Sequence, residues 1–301
     1  MNKIIKTISK PGDTLEKIYN RLLLVLPDEL YLKVKFRQLM GKKLNLKNPQ
    51  TFSEKLQWLK LYNRRPEYTT MVDKYAVKDY VAKIIGEEYI IPTLGVWDRP
   101  EDIDWDKLPN QFVLKCTHDS GGLLICRDKS KLDKEAAITK LHKTLKQNYF
   151  RKWREWPYKN VPRRIIAEKY IEPTPDLKDL LDYKFFCFNG EPQYCQVISG
   201  RNTKMSCDFF DKDWNHQPFH EPRTYPFSDH ELAKPSKYGE MWDLARRLAK
   251  DKPFSRIDFY EVRGKVYFGE ITFFPTTGMG GFQPEEYDLK FGEMIQLPYV
   301  N

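Results

Sequence analysis

The stretch that decides our interpretation of the fold is Ser255-Arg-Ile-Asp-Phe-Tyr-Glu-Val-Arg-Gly-Lys-Val-Tyr-Phe-Gly-Glu-Ile-Thr-Phe-Phe-Pro-Thr-Thr-Gly-Met-Gly-Gly281. Apolar and polar residues alternate over 256–262 and again over 265–272. Arg263-Gly264 between them is typical of a tight turn. The pattern predicts a β-hairpin whose strands bring together a small group of polar side chains, namely Arg256, Asp258, Glu270 and Thr272.

This polar group has the chemistry of a cation site. Oxygen ligands with open water positions are what Mg²⁺ takes when it also holds nucleotide phosphates. Arg256 beside them is suited to stabilise charge on a transferring phosphoryl group. An alternative stays open for an isolated Asp/Glu pair: the hairpin is exposed and its acids only keep the protein soluble. Choosing between the two interpretations requires the other motifs of the chain.

The composition describes a folded globular protein with a basic N-terminal segment. Of 301 residues, 41% are hydrophobic and 14% aromatic, which is enough for a large core and two or so domains. Residues 1–65 hold 15 Lys and Arg against 5 Asp and Glu, a net charge of +10. The net charge of the whole chain is +9, so residues 66–301 sum to −1. We interpret the basicity as a property of this segment.

The partner of the basic segment is left open between two interpretations. No helix-turn-helix, zinc-finger or RNA-binding motif is present, so no nucleic acid is expected. An acidic partner or an anionic membrane surface is one interpretation, and a solvated basic helix without a partner is the other.

Cysteine usage and hydropathy predict a cytoplasmic protein. The 5 cysteines are odd in number, form no Cys-x-x-Cys pair and lie mostly in apolar runs, which favours a reducing compartment. The histidines have no zinc spacing. The apolar run at 22–26 is too short for a membrane span, which takes roughly 20 residues.

Helical and strand patterns alternate along the chain. Residues 1–65 are predicted helical, with Ser53 as a helix cap, and helices are also predicted over 73–86, 134–153, 238–250 and 289–294. Strands are predicted over 89–97, at an edge because of Pro92, and over 163–171, 183–188 and 193–199. Residues 211–236 have little period and are predicted to be a long loop beside a substrate pocket.

Two further places carry residues suited to phosphate. Lys115 stands in the apolar run Phe112-Val-Leu-Lys-Cys116, where a lysine is costly unless it meets an anion. The loop Ser120-Gly121-Gly122 follows, and small residues let backbone N–H groups approach phosphate oxygens. Alone, such a loop is more often a plain turn.

Five features then stand in one order: Asp73-Lys74, Lys115, Glu168-Lys169, Arg256-x-Asp258 and Glu270-x-Thr272. This order resembles the ATP-grasp superfamily, to which D-alanine–D-alanine ligase belongs. Longer motifs resemble the TupA-type amidoligases of bacterial polysaccharide biosynthesis, and they lie at 48–58, 73–77, 86–92, 182–190 and 269–275. The similarity covers about residues 30–285.

The resemblance implies an α+β ATP-grasp fold, in which two α+β subdomains enclose ATP, with an N-terminal helical extension. The implied domains are the basic helical extension 1–65, an N-terminal α/β part 66–110, a central subdomain with the phosphate loop 111–172, and a C-terminal subdomain with the metal site 173–301.

The resemblance also implies the roles of individual residues. The residues expected to bind ATP are Lys74, Lys115, Ser120, Gly121, Gly122, Glu168, Lys169 and Asp182. Those expected to hold Mg²⁺ are Asp258, Glu270 and Thr272. Arg256 and Lys184 are then catalytic, and Arg256 binds the acyl phosphate formed when ATP phosphorylates a carboxylate that an amine afterwards attacks.

Two residues depart from the superfamily pattern. Most members carry Asn where Thr272 stands, and a threonine hydroxyl is a weaker ligand, so Thr272 is expected to contact a metal-bound water or only one Mg²⁺. Asp119 places a negative charge beside the phosphate loop, which disfavours close phosphate contact unless Asp119 binds metal or turns away.

The implied substrates are an acidic sugar or polysaccharide precursor and an amine or amino acid, with peripheral membrane or lipid-linked glycan contact through residues 1–65. Two other functions stay open. A glycosyltransferase would require a metal-binding Asp-x-Asp, for which Asp102-Ile103-Asp104 and Asp211-Lys212-Asp213 have the letters. A non-catalytic glycan- or membrane-binding module would use residues 1–65.

Overall fold

The computed structural model describes residues 21–119, 121–174, 180–200, 204–221 and 225–299. The chain divides into two compact units, residues 1–44 and 45–301. In the first unit, helix α1 (Asp28–Met40) buries Tyr31, Leu32 and Phe36, and Gly41 ends it in the left-handed conformation with φ 73°. Gly41 suits this position because a left-handed residue with a Cβ is strained.

The described part of the second unit contains two antiparallel sheets and the helices around them. The helices are α2 (Phe52–Tyr62), α3 (Glu67–Val72), α4 (Ala76–Ile85), α5 (Lys134–Leu145), α6 (Tyr149–Trp153), α7 (Tyr238–Ala249) and α8 (Glu286–Met294). The strands are β1 (Thr93–Trp97), β2 (Phe112–Cys116), β3 (Leu123–Cys126), β4 (Ile165–Lys169), β5 (Asp182–Phe188), β6 (Glu191–Ser199), β7 (Ser206–Phe210), β8 (Phe254–Val262) and β9 (Lys265–Thr272).

Strand order places Lys115, Glu168, Lys184 and Asp258 on inner strands, while Glu270 and Thr272 are on the edge strand β9. The four-stranded sheet has the order β1-β4-β2-β3, and the five-stranded sheet has the order β7-β6-β5-β8-β9. Strand β1 is therefore at an edge, as Pro92 before it predicted. Strands β2 and β4, which carry Lys115 and Glu168, are neighbours, and so are β5 and β8, which carry Lys184 and Asp258.

An aromatic core fixes the larger sheet to its helices. Phe185 on β5 packs edge-on against Trp242 of α7, with ring centroids 5.8 Å apart. On the other side, Phe52 of α2 packs edge-on against Phe254 of β8 at 4.9 Å. Such pairs add specific geometry to the burial of large apolar surfaces.

Helix α2 belongs to this core, although the sequence interpretation placed it in the N-terminal extension. Its N-terminal cap is Thr51, which forms a capping box with Glu54, and not Ser53 as predicted. Ser53 is buried and donates through its hydroxyl to Asp288 Oδ1 at 2.8 Å. The boundary between the compact units therefore falls at residue 44, whereas the predicted extension ran to residue 65.

Three other element predictions differ from the structure. Strand β1 begins at Thr93 and not at residue 89, because Glu87–Tyr89 form a 3₁₀ turn. The helix predicted over 134–153 is two helices, and Asn148 caps the second one through Arg151 N. Strand β7 was not predicted. The described residues of the predicted loop 211–236 are irregular except for isolated bridges at His216 and His220.

Candidate active site

The hairpin β8–β9 forms as predicted, but it contains a bulge that the sequence pattern did not predict. From the turn, the pairing is regular as far as Phe259 opposite Phe268, and then Asp258 lies opposite Glu270. Gly269 is the extra residue between these pairs. A regular ladder would place Gly269 opposite Asp258 and turn Glu270 toward the core side.

Glycine suits this bulge because the neighbouring strand approaches closely. A Cβ on Gly269 would lie 3.1 Å from the carbonyl oxygen of Asp258 and 3.2 Å from Cε2 of Tyr260. The bulge thus determines that Glu270 shares a face with Asp258, while Phe268 remains in the core.

Arg256 joins the three side chains predicted to bind metal. Its Nε and Nη2 donate to the two oxygens of Asp258, both at 2.8 Å. Its Nη2 also donates to Glu270 Oε1 at 2.9 Å and Thr272 Oγ1 at 3.2 Å. Lys184, opposite Asp258 on β5, donates to Asp258 Oδ2 at 2.5 Å. The predicted cluster is therefore real, and its two cations hold the carboxylates in place.

The charges in this cluster stabilise one another. Burial disfavours the charged form of Arg256, but Asp258 and Glu270 raise the pKa of the guanidinium. Burial also opposes the ionised form of Glu270, yet Arg256, followed by Lys184 and Lys74, lowers the pKa of its carboxyl to about 2. Glu270 is consequently ionised at neutral pH, and its side chain is 47% exposed.

Across the cleft, Glu168 lies between two lysines. Its Oε1 is 2.5 Å from Lys78 Nζ, and its Oε2 is 2.6 Å from Lys115 Nζ. Burial opposes the charge of Glu168, but Lys115 and Lys78 lower the pKa of its carboxyl. The sequence interpretation missed Lys78, although within the predicted helix 73–86 a spacing of four from Lys74 would place both on one face. In the structure Lys74 precedes helix α4 and only Lys78 is in it.

Lys74 and the glycine loop meet at Asp119. Lys74 Nζ donates to the carbonyl oxygen of Asp119 and lies 3.5 Å from its Oδ1. Asp119 is buried and turned toward Lys74. A Cβ on Gly122 would lie 2.3 Å from Asp119 Oδ2, so the glycine leaves room for this carboxylate. Ser120 lies outside the described residues, and Gly121 has φ 97°.

Asp73 sets the position of Lys74. Its Oδ1 accepts from the backbone N–H groups of Tyr75 and Ala76 at the start of α4, and its Oδ2 accepts from Arg164 Nη2 at 2.8 Å. The N–H of Lys74 donates to the carbonyl oxygen of Thr117 at 3.2 Å. The helix start is thereby tied to the end of β2, where the glycine loop begins.

Two adjoining cavities lie between the sheets. The first, of about 290 Å³, is lined by the predicted residues Lys74, Lys115, Gly121, Gly122, Glu168, Asp182, Lys184, Asp258 and Glu270, together with Lys78. The second, of about 310 Å³, is mostly apolar, with Ile91, Val113, Leu123, Ile125 and Ile171 in its wall and Lys169 at its side. Lys115 and Glu168 line both cavities.

The donor set fits Mg²⁺ only if other ligands complete it. In the described part of the chain, no group of three His, Cys, Asp or Glu side chains is placed to hold a metal ion. One or two carboxylates suffice when phosphates and waters supply the remaining positions. Asp258 and Glu270 are adjacent across β8 and β9 and provide such a pair.

The turn after β9 is strained and contacts another buried carboxylate, that of Glu221. Thr276 and Thr277 have φ of 49° and 54°, which is unusual for β-branched residues. Thr276 Oγ1 donates to Glu221 Oε1 at 3.1 Å, and Gln196 Nε2 donates to Glu221 Oε2 at 2.9 Å. Burial raises the pKa of Glu221, although the hydrogen bond from Gln196 and the positive charge of Arg256 each lower it. No sequence motif indicated Glu221.

Helix α2 holds this turn from the other side. Lys60 is fully buried, and its Nζ donates to the carbonyl oxygen and hydroxyl of Thr277 at 2.7 and 2.9 Å. Gln57 Nε2 donates to the carbonyl oxygen of Gly278 at 2.7 Å. These contacts offset the backbone strain, which proteins retain mostly at functional sites.

Comparison with known proteins identifies the family. The model of the family described as TupA-like ATPgrasp matches residues 54–296. No curated protein matches the chain significantly. Among solved structures, D-alanine–D-alanine ligase from Bacillus anthracis is 17% identical with a TM-score of 0.37, and the match covers 67% of this chain and 56% of that one.

Two other solved structures have similar values. D-Alanine–D-alanine ligase from Helicobacter pylori is 15% identical with a TM-score of 0.40, covering 83% of this chain and 70% of that one. An ATP-grasp RimK domain protein from Sphaerobacter thermophilus is 12% identical with a TM-score of 0.41, covering 78% and 70%. This chain spans only 56% of the first of these structures.

The family match covers most of the chain and includes every site residue from Lys60 to Thr277 discussed above. It confirms the predicted superfamily and the α+β fold. The chain belongs to the TupA-like ATP-grasp family.

Proposed function

We propose that the protein is an ATP-dependent carboxylate–amine ligase. A carboxylate oxygen attacks the γ-phosphorus of ATP, ADP leaves, and the resulting acyl phosphate is attacked by an amine to give an amide and inorganic phosphate. The observation that carries this proposal is the convergence of four lysines on one polar cavity beside an apolar one: Lys115 and Lys184 from the two sheets, Lys78 from helix α4 and Lys74 from the turn before that helix.

The paired cavities suit a nucleotide. An apolar cavity accommodates a purine base, and lysines supply point charges for the phosphates. Bound Mg²⁺ would neutralise phosphate charge, and Asp258 and Glu270 would hold it. Phosphoryl transfer depends mainly on positioning and charge neutralisation, so no nucleophilic side chain is required.

The chain's own residues perform the remaining work. Arg256 is fixed by Asp258 and Glu270 and presents its guanidinium beside them, where it would stabilise the negative charge of the acyl phosphate. Lys115 and Lys78 share Glu168 as counter-ion, so phosphate oxygens would compete with Glu168 for these two ammonium groups.

For the substrates, we propose a uronic-acid carboxyl of a capsule or cell-envelope polysaccharide precursor and the amine of an amino acid. The resemblance to TupA-type amidoligases supports this choice, and the need for ATP places the reaction in the cytoplasm. Contact of residues 1–65 with a membrane or lipid-linked glycan stays a prediction. Within the described residues, no helix is both long and apolar enough to cross a bilayer.

The glycosyltransferase alternative has less support. Asp102 pairs with Arg99 and Asp104 with Lys107 on exposed surface, and Asp211 accepts from backbone N–H groups of its own turn. Neither Asp-x-Asp lines the cavities that contain the site residues.

The test is mass spectrometry of reactions that contain purified protein, ATP, MgCl₂, uronic-acid sugars or sugar nucleotides, and amino acids. We expect ADP and an amide product together, and the loss of both in Lys115→Met and on addition of EDTA. Lys107→Met, which removes an exposed lysine, is the matched control and should behave as the wild type. Failure to form ADP and amide with a broad panel would contradict the proposal.

A further inference from the structure

The second unit contains its own basic stretch, which the charge sums of the sequence interpretation concealed. Residues 140–164 hold 9 Lys and Arg and 1 Glu, a net charge of +8. Since residues 66–301 sum to −1, the rest of that range carries −1 − 8 = −9. Residues 1–65 thus account for the net charge of the chain, and residues 140–164 form a second, local basic stretch that acids elsewhere in 66–301 balance in the sum.

Several of these cations lie on the surface without an acidic partner among the described residues. Lys143, Lys146, Arg151, Lys159 and Arg163 are exposed, and none forms an ion pair with an acid of the described chain. By contrast, exposed Arg99 and Lys107 and half-buried Arg246 each pair with a nearby acid. A local excess of unneutralised positive charge attracts anions and raises their local concentration.

Aromatic rings accompany these cations. Tyr149, Phe150 and Trp153 are half-buried on α6, and Lys159 Nζ lies 5.6 Å from the ring centroid of Phe150. An open concavity of about 510 Å³ lies here, lined by Gln147, Asn148, Tyr149, Lys152 and Trp153. Flat apolar rings beside cations are suited to a ligand with both apolar faces and negative charges.

Residues around the concavity contact both sides of the proposed active site. On the glycine-loop side, His118 Nε2 contacts the carbonyl oxygen of Gln147 at 3.2 Å. Gly122 packs closely on Thr144, since a Cβ built on this glycine would lie 2.4 Å from Thr144 Cγ2. On the hairpin side, the carbonyl oxygen of Trp153 accepts from Lys60 Nζ at 3.1 Å, and the same ammonium binds Thr277.

We propose that residues 143–159, which we call the basic aromatic segment, bind an acidic glycan, with sugar rings on Tyr149 and Trp153 and carboxylates on the surrounding cations. This inference rests on the proposed function, because the glycan's terminal carboxylate is the group that enters the active site. A carboxylate polymer is favoured over a nucleic acid because the segment adjoins the place where a carboxylate would be activated.

The test measures binding without ATP. A fluorescently labelled oligoglucuronate of about ten sugars is titrated with the full-length protein at increasing NaCl. Removing three exposed charges in Lys146→Ala/Arg151→Ala/Lys159→Ala should weaken binding about 10-fold or more. The control Lys83→Ala/Lys212→Ala/Lys250→Ala removes the same charge from exposed sites on other elements and should change binding less than about 2-fold.

Binding of the wild type should also weaken as salt rises, since exposed charges are screened. Equal weakening by both triple variants would overturn the proposal, and so would equal binding of a neutral glucose oligosaccharide. Displacement of the probe by a single-stranded oligonucleotide of equal charge, at equal concentration, would show a nucleic-acid surface instead.

A separate measurement distinguishes this inference from the proposed function. With a monomeric uronic acid and a free amino acid as substrates, the basic-segment triple variant should form ADP at the wild-type rate. If no substrate yields ADP but glycan binding is lost in that variant, the binding surface is supported and the ligase proposal fails. If ADP forms and the variant binds the glycan as the wild type does, only the surface inference fails.

Discussion

Arg256 is the residue on which the metal side of the cleft depends. It contacts Asp258, Glu270 and Thr272, the three side chains predicted to bind Mg²⁺. The departure from Asn at Thr272 has a structural counterpart, because Thr272 Oγ1 donates to Glu270 Oε1 at 3.1 Å. An uncharged hydroxyl here orients Glu270, whose side chain is 47% exposed against 2% for Asp258.

The first prediction concerns the charge of Glu270. Glu270→Gln keeps the shape but removes the negative charge, and we expect ADP formation to fall at least about 100-fold. Because the pKa of Glu270 is about 2, the wild-type rate should show no titration of this group between about pH 4 and 9.

Glu261→Gln on the neighbouring strand β8 is the control, since Glu261 accepts hydrogen bonds from Ser236 and the N–H of Lys237 outside the cleft. An equal rate for Glu270→Gln and the wild type would contradict the assigned role.

The second prediction concerns the buried pair of Lys60 and Glu155. Burial lowers the pKa of Lys60 to about 8 and raises the pKa of Glu155 to about 7, and in each case the opposite charge of the partner opposes the shift. Lys60→Met should lower the free energy of unfolding by about 3 kcal/mol, because the carbonyl oxygens of Trp153 and Thr277 lose a charged hydrogen-bond donor and Glu155 loses a positive charge that favours its ionised form. Urea denaturation measures this change.

A double-mutant cycle checks the reason. In Lys60→Met/Glu155→Gln the unpaired charge is gone, so the loss should be at least about 1 kcal/mol smaller than the sum of the two single losses. Lys55→Met on the same helix removes a hydrogen bond to the carbonyl oxygen of Ile295 and should cost about 1 kcal/mol. Additive losses in the cycle would show that the two side chains do not interact.

At the scale of elements, the bulge in β9 decides which face carries Glu270. The turn at Arg263-Gly264 sets the register of the hairpin, and the extra residue Gly269 shifts it by one just before the site. Since side chains alternate between faces, a shift of one residue moves a side chain from one face to the other. The active site thus depends on one inserted glycine.

The third prediction follows from the space around that glycine. A Cβ on Gly269 would press on the backbone of Asp258, so Gly269→Ala should destabilise the protein by about 1 to 3 kcal/mol and reduce ATP turnover. Gly239→Ala in helix α7 is the control: its surroundings are open, and alanine should stabilise the helix by about 0.5 to 1 kcal/mol. Thermal unfolding of both variants distinguishes the cases, and a stabilised Gly269→Ala would contradict the role of the bulge.

At the scale of the whole molecule, the residues of the proposed site lie within the second compact unit. Residues 45–301 contain the cavities, both sheets and the family match at 54–296. The fourth prediction is therefore that a protein of residues 45–301 folds and forms ADP with small substrates at a rate within about 3-fold of the full chain.

Circular dichroism and the ADP assay measure this outcome. Truncation at residue 66, the boundary that the sequence suggested, removes α2 with Lys60 and Gln57 and should abolish folding or activity. Equal activity of the two truncated proteins would contradict the role of α2 in holding the turn at Thr277.

The sequence alone determined the residue types of the proposed site and the neighbours within each strand. The alternation around Arg263-Gly264 predicted the hairpin and two same-face pairs, Arg256 with Asp258 and Glu270 with Thr272, since residues two apart on one strand share a face whatever packs around them. The bulge at Gly269 then brings the two pairs to one face. The order of the motifs predicted the superfamily. These features are local, or they depend only on residue order.

Only the tertiary structure decided the partners that come from distant segments. Lys78 reaches Glu168, Lys60 reaches Thr277 and Glu221 reaches Thr276 across separations that no local pattern encodes. The burial that makes these contacts strong, and that shifts the pKa of Glu155 and Lys60, arises when helices and sheets pack. The bulge at Gly269 is likewise visible only in the strand pairing, because a single glycine in an alternating strand does not indicate whether or where the register shifts.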